Sequence, residues 1–89
     1  MDCMCQEEIK KIKARLATSA GHLKSIAEML ETQPCDAVLQ QLLAVESNIR
    51  NTGRLILKSH LTHCVAKDIQ QGDSASLEKF TSVLDKYLL

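Results

Sequence analysis

The chain has 89 residues, 45% apolar and 25% charged, and its 11 basic and 11 acidic side chains cancel to a formal net charge of zero. Such a composition excludes a disordered chain, and the length suffices for one small domain spanning 1–89. Neutrality argues against a uniformly basic nucleic-acid binder, and no apolar run approaches the roughly 18 residues of a membrane-spanning helix.

The N-terminal stretch Met1-Asp2-Cys3-Met4-Cys5-Gln6-Glu7 lacks the charged and apolar regions of a secretory signal, so a cytoplasmic protein with no membrane partner is expected. In that reducing compartment four cysteines read as ligands or reactive thiols, not as a disulfide framework. Residues 1–6 read as a flexible tail, with accessory ligation or a thiol relay as the other role for Cys3 and Cys5.

From Glu7 to Glu31 the apolar residues Ile9, Ile12, Leu16, Ala20, Leu23, Ile26 and Leu30 keep a helical period, and Glu7 and Glu8 suit the positive end of that helix. Lys10, Lys11, Lys13 and Arg15 follow, with no acid before Lys24. His22 lies among Ala20, Gly21 and Leu23, where a histidine is ordinarily packed or capped. Thr32, Gln33 and Pro34 break the helix, and Pro34-Cys35-Asp36 opens a second one, since proline is tolerated in a first turn. Unsatisfied backbone N–H groups at a helix start favour negative charge, making Cys35 a candidate for reactivity as well as ligation.

The second helix is predicted from about Asp36 to about Ile69. Val38, Leu42, Val45, Ile49, Thr52 and Ile56 recur at steps of three and four, and Leu39, Leu43, Leu57 and Leu61 widen that face. Arg50, Arg54 and Lys58, spaced at four, make a basic stripe without interleaved acids, a local footprint for phosphates within a neutral total. Gln71-Gly72 supplies a stop, and Asp73 or Ser74 caps a third helix whose apolar face is Leu77, Phe80, Val83, Leu84 and Leu88. The fold class is therefore all-α, a three-helix protomer with one long central helix. Two apolar rows with little chain to cover them call for a second copy.

His60 and Cys64 are four apart and project from one side of the central helix. Cys35 lies about 38 Å away along its axis at ~1.5 Å per residue, so it can join them only from an antiparallel second subunit. Two thiolates and an imidazole form a soft ligand set that disfavours Mg²⁺, Ca²⁺ and Mn²⁺ and leaves Cu(I), Zn(II) and Ni(II), with three ligands leaning towards Cu(I). His63, one residue from Cys64, is expected to face solvent.

Arg15-Leu16, Gly21-His22-Leu23, Met29-Leu30-Glu31, Cys35 with Val38-Leu39-Gln40-Gln41, Ala44-Val45-Glu46-Ser47, and His60-Leu61 with His63-Cys64-Val65 together resemble the copper-sensing operon repressor (CsoR/RcnR) family over about residues 12–72. The resemblance implies an all-helical DNA-binding repressor without a helix-turn-helix. Its antiparallel dimer forms a four-helix bundle, and a dimer of dimers releases operator DNA when inducer fills an inter-subunit site. Cys35 of one subunit with His60 and Cys64 of the other match the copper-type ligands, Arg15 matches a residue implicated in operator contact, and His22 matches a histidine used by a nickel-sensing relative. Copper-type members carry a tyrosine before the first cysteine and a glutamate on the last helix that bond the ligating histidine. Here Pro34 and Lys79 or Phe80 stand in those places, with Glu78 the nearest acid.

These observations lead to a cytoplasmic, homotetrameric repressor that presents Lys10, Lys11, Lys13, Arg15, Arg50, Arg54 and Lys58 to operator DNA and is released by Cu(I) at Cys35, His60 and Cys64. Alternatives are a persulfide- or thiol-responsive repressor acting through Cys35 and Cys64 without metal, and a helical metal-buffering protein without a DNA partner. No nucleophile, base and orienting group share a spacing that helices would bring together, so an enzyme is not expected.

Overall fold

The computed structural model describes residues 5–88, and every regular element among them is a helix. Helix α1 spans Gln6–Met29 and α2 spans Cys35–His60. The backbone then runs on through a π-helical segment, Leu61–Val65, into α3, Ala66–Gln70, before a turn leads to α4, Ala75–Leu88. The central helix expected to about Ile69 is thus a rod from Cys35 to Gln70, with one wider turn that the apolar period does not reveal.

Local chemistry sets the ends. The Cys5 carbonyl accepts the Ile9 N–H at 3.1 Å, so Cys5 and Gln6, expected in a flexible tail, belong to the start of α1, while Cys3 lies outside the described residues. Pro34 is extended (φ −61°, ψ 153°) and its carbonyl accepts the Val38 N–H at 3.2 Å, leaving Cys35 as the first helical residue. At the far end Gly72 has φ 86°, the Gly72 N–H meets the Ile69 carbonyl at 3.0 Å, and the Asp73 N–H reaches back to the Asp68 carbonyl at 2.8 Å. This paired closure needs the left-handed conformation that glycine adopts without penalty. Asp73 Oδ1 accepts the Ala75 N–H at 3.1 Å and starts α4.

Helices α1 and α2 form an antiparallel hairpin with a core of Ile26, Val38 and Val45, packed by Met29. A second core joins Leu57, Val65 and Phe80, flanked by Leu84 and Tyr87, where α4 folds back along the rod. Between them lie Ser19 and Thr52, both buried, the Thr52 hydroxyl donating to the Asn48 carbonyl at 2.9 Å. The rod does not bend at Gly53. A Cβ there would come within 2.7 Å of Tyr87 Cζ and Oη, so the glycine makes room for the aromatic end of α4.

The molecule is a thin rod of 56 × 28 × 12 Å, and much of its predicted core is uncovered. From the first row Leu42 (41% exposed) and Ile49 (43%) face outward, and from the second row only Leu57 is buried, with Leu39 at 59% and Leu43 at 66%. Within one protomer α1 and the short α4 together cover only part of the apolar stripe of α2. Leu16 and Leu23 on α1 continue the open ridge.

Two outcomes follow. Phe80→Ala should cost about 3 kcal/mol in urea unfolding, since it empties the centre of the second core. Gly53→Ala should destabilise despite a gain in helix propensity of ~1 kcal/mol, and in a Tyr87→Ala background the same change should stabilise by about that amount.

Candidate functional site

The rod places the three expected ligands at its two ends. Cys35 is a free, exposed thiol at the first position of α2. His60 is the last residue of α2, and Cys64 lies in the π segment, only 7% exposed. Cys64 is held in a disulfide in this structure, so its thiolate becomes available on reduction. No group of three or more His, Cys, Asp or Glu side chains within one protomer is arranged to hold a metal, among the described residues.

His60 Nδ1 is the one buried side-chain nitrogen or oxygen without a hydrogen-bond partner among the described residues. A buried polar atom left without a partner costs about 1–3 kcal/mol, so this nitrogen stands out as an unsatisfied polar atom. The ring lies against Phe80, centroids 6.2 Å apart and tilted by 37°. Phe80, not Glu78, is the α4 residue that orients the imidazole, and it does so by ring contact instead of a hydrogen bond. A nitrogen already dehydrated and oriented fits a soft metal ion.

The opposite side of this segment is tied to α1. Ser59 Oγ donates a hydrogen bond to Glu8 Oε2, and His63 Nε2 lies 3.2 Å from Glu8 Oε1, an ion pair when the ring is protonated. His63 faces solvent as expected, 43% exposed, and also engages a residue 55 positions away. The hydrogen bond from Ser59, assisted by the charge and hydrogen bond of His63, holds the Glu8 carboxyl below its ordinary value of 4.5, although burial pulls the other way. Sequence reasoning had placed Glu8 only as a dipole partner. The signal that could have found the tie is the pair Ser59 and His63, four apart on one helical face.

Lys11 and Lys58 line one shallow cavity of about 330 Å³ together with Glu8, Ser59 and His63, so the basic runs of α1 and α2 meet there. Arg50 lines a separate groove with Lys86 and Tyr87. The stripe expected on one face is therefore divided, because residues eight apart on an α-helix diverge by about 80°. Arg54 donates to Asn51 Oδ1 at 3.0 Å, and Lys10, Lys13 and Arg15 are exposed along α1. His22 Nε2 is 2.8 Å from Gln41 Oε1, a bond between α1 and α2 that fits the packed role. No helix among the described residues is long and apolar enough to cross a membrane.

A family profile described as metal-sensitive transcriptional repressor matches residues 8–86. Transcriptional repressors RcnR of Salmonella arizonae and Citrobacter koseri are 34% and 35% identical, the matches covering 89% of this chain and 90% of each relative. The crystal structure of the copper-sensing repressor CsoR with Cu(I) from Geobacillus thermodenitrificans superposes with a TM-score of 0.87 at 31% identity, covering 96% of this chain and 91% of that one. The nickel-responsive transcriptional regulator InrS follows at 0.77 and 30% identity, covering 93% and 96%.

The sign of the Glu8 effect is testable. A carboxyl held below its unfolded value adds stability that is fully present above that value and is lost as pH falls through the lowered one. Glu8→Gln should therefore be less stable than the parent near neutrality, and the difference should close as pH drops below 4.5, read by urea unfolding across that range.

Proposed function

The chain belongs to the metal-sensitive transcriptional repressor family, the CsoR/RcnR group, and we propose that its inducer is Cu(I), held by Cys35 of one subunit with His60 and Cys64 of another. It is a metal-sensing transcriptional repressor, a regulator and not an enzyme, which sets aside the metal-buffering alternative. The observation that carries the copper reading is the buried, partnerless Nδ1 of His60, four residues before a buried cysteine. Both stand at the end of a rod whose other end exposes a thiol. The likeness to a Cu(I)-bound repressor supports the same choice. Ni(II) and Zn(II), which favour harder donors or a fourth ligand, are second choices, since that ligand would have to come from Cys3, Cys5, His63 or His22.

Assembly follows from the open apolar ridge. A second copy laid antiparallel covers Leu39, Leu42, Leu43 and Ile49, completes a four-helix bundle and brings its Cys35 to the first copy's His60. A dimer of dimers in the cytoplasm then presents Lys10, Lys11, Lys13, Arg15, Arg50, Arg54 and Lys58 to operator phosphates. When bound, Cu(I) supplies a coordinate cross-link between subunits. The residues around it do the rest: Phe80 fixes the imidazole plane, the apolar shell of Leu57 and Val65 keeps water out, and the linked geometry fits DNA less well. Linkage makes the effect reciprocal, and ~3 kcal/mol of coupling changes operator affinity by roughly 150-fold.

A second reading keeps the repressor and changes the inducer. The exposed Cys35 thiol and the Cys64 thiol, once reduced, would together give two electrons to a persulfide donor, whose S–S bond breaks to a thiol and sulfide as a disulfide forms between subunits.

X-ray absorption of the reduced, Cu(I)-loaded protein should show two sulfur ligands and one nitrogen, with the nitrogen lost in His60→Ala. An unchanged first shell in that variant would refute the ligand set, and metal-free covalent dimers that lose DNA after persulfide treatment would favour the second reading. On the DNA side, Lys11→Ala should weaken binding to the DNA upstream of its own gene and reduce the salt slope by about one.

A further inference from the structure

We propose that Glu8 is a positioning residue that transmits inducer binding to the DNA-facing end of α1. The inference rests on the reading of His60 and Cys64 as inducer ligands and adds the route by which their movement reaches the operator surface.

The geometry is specific. Each oxygen of the Glu8 carboxylate has its own partner, Oε2 with Ser59 and Oε1 with His63. Ser59 immediately precedes His60, and His63 immediately precedes Cys64. Neighbouring residues on a helix project about 100° apart, so the ligand pair and the tie pair occupy adjacent faces of one short segment. Any rotation that turns His60 and Cys64 towards a partner's Cys35 swings Ser59 and His63 away from Glu8. The segment is also the one place where the rod leaves the α-helical hydrogen-bond pattern, the π turn Leu61–Val65, and such turns are weak points that often mark functional sites.

The other end of the tie bears on DNA. Glu8 is three residues before Lys11, one turn along the same face of α1, and both line the cavity that holds Lys58. While Ser59 and His63 hold the carboxylate, Lys11 and Lys58 are left to face phosphates. Once released, the carboxylate lies between the two ammonium groups and competes with DNA for them. Breaking the tie therefore loosens the first turns of α1 and removes positive charge from the operator surface together.

The test compares the parent, Glu8→Ala and Ser59→Ala, each reduced, metal-free or loaded with Cu(I). Two quantities are read: amide hydrogen exchange over residues 6–15, and affinity for the DNA upstream of its own gene. Unchanged helicity and Cu(I) binding in a competition assay confirm that the variants keep their fold and metal site. In the parent, copper should raise exchange over 6–15 and weaken DNA binding by about 5- to 150-fold, the usual range of allosteric coupling. In both variants exchange should already be high without metal, and copper should change DNA affinity by less than about twofold. Variants that keep the parental copper response, or a copper-bound parent whose residues 6–15 do not respond, would overturn the proposal. If copper loosens α1 in the parent but DNA stays bound, the operator-release reading fails and the tie stands. If DNA is released equally from parent and variants, the tie fails and the reading stands.

Discussion

Between Cys35 and His60 the rod rises by about 1.5 Å per residue, which holds the exposed thiol and the half-buried imidazole of one protomer at opposite ends. Gly53 is covered by the Tyr87 ring, and the helix passes it unbroken. The proposed inducer site is consequently one that two subunits share, which makes assembly part of the proposed chemistry. On that proposal the sensor reports on the relation between subunits.

The packing points the same way. The two small cores lie towards opposite ends of the rod, separated by Ser19 and Thr52, and Leu39, Leu42 and Leu43 beside the first of them stay open. A chain of this length buries too small a fraction of its surface to be very stable alone. In the proposed dimer a second copy covers the open ridge and sets the antiparallel register that the proposed ligands need, so that stability and sensing would depend on the same contact.

Around the end of the rod the structure gathers four kinds of group within two turns: an apolar shell from α4, a partnerless imidazole nitrogen, a buried sulfur and a carboxylate tie to α1. Phe80 presses on the imidazole from one side while Ser59 and His63 hold Glu8 on another. The Glu8 tie leads from this segment to α1 and its basic side chains.

Much of this was legible in the sequence because it is local. The three- and four-residue apolar steps define the rod, Pro34 and Gly72 mark its ends through their fixed or permissive φ, and the spacing of His60 and Cys64 puts them on one side of it. Arg15, Cys35 and the other matched positions carried the family resemblance, since a repressor's ligand spacing is written along one helix. What tertiary structure alone decided involves residues far apart in the chain. Glu8 meets Ser59 and His63 across more than fifty positions, Phe80 displaces Glu78 as neighbour of His60, and Tyr87 closes over Gly53. Periodicity specifies which face of a helix is apolar, but which partner that face meets is settled only when the helices pack.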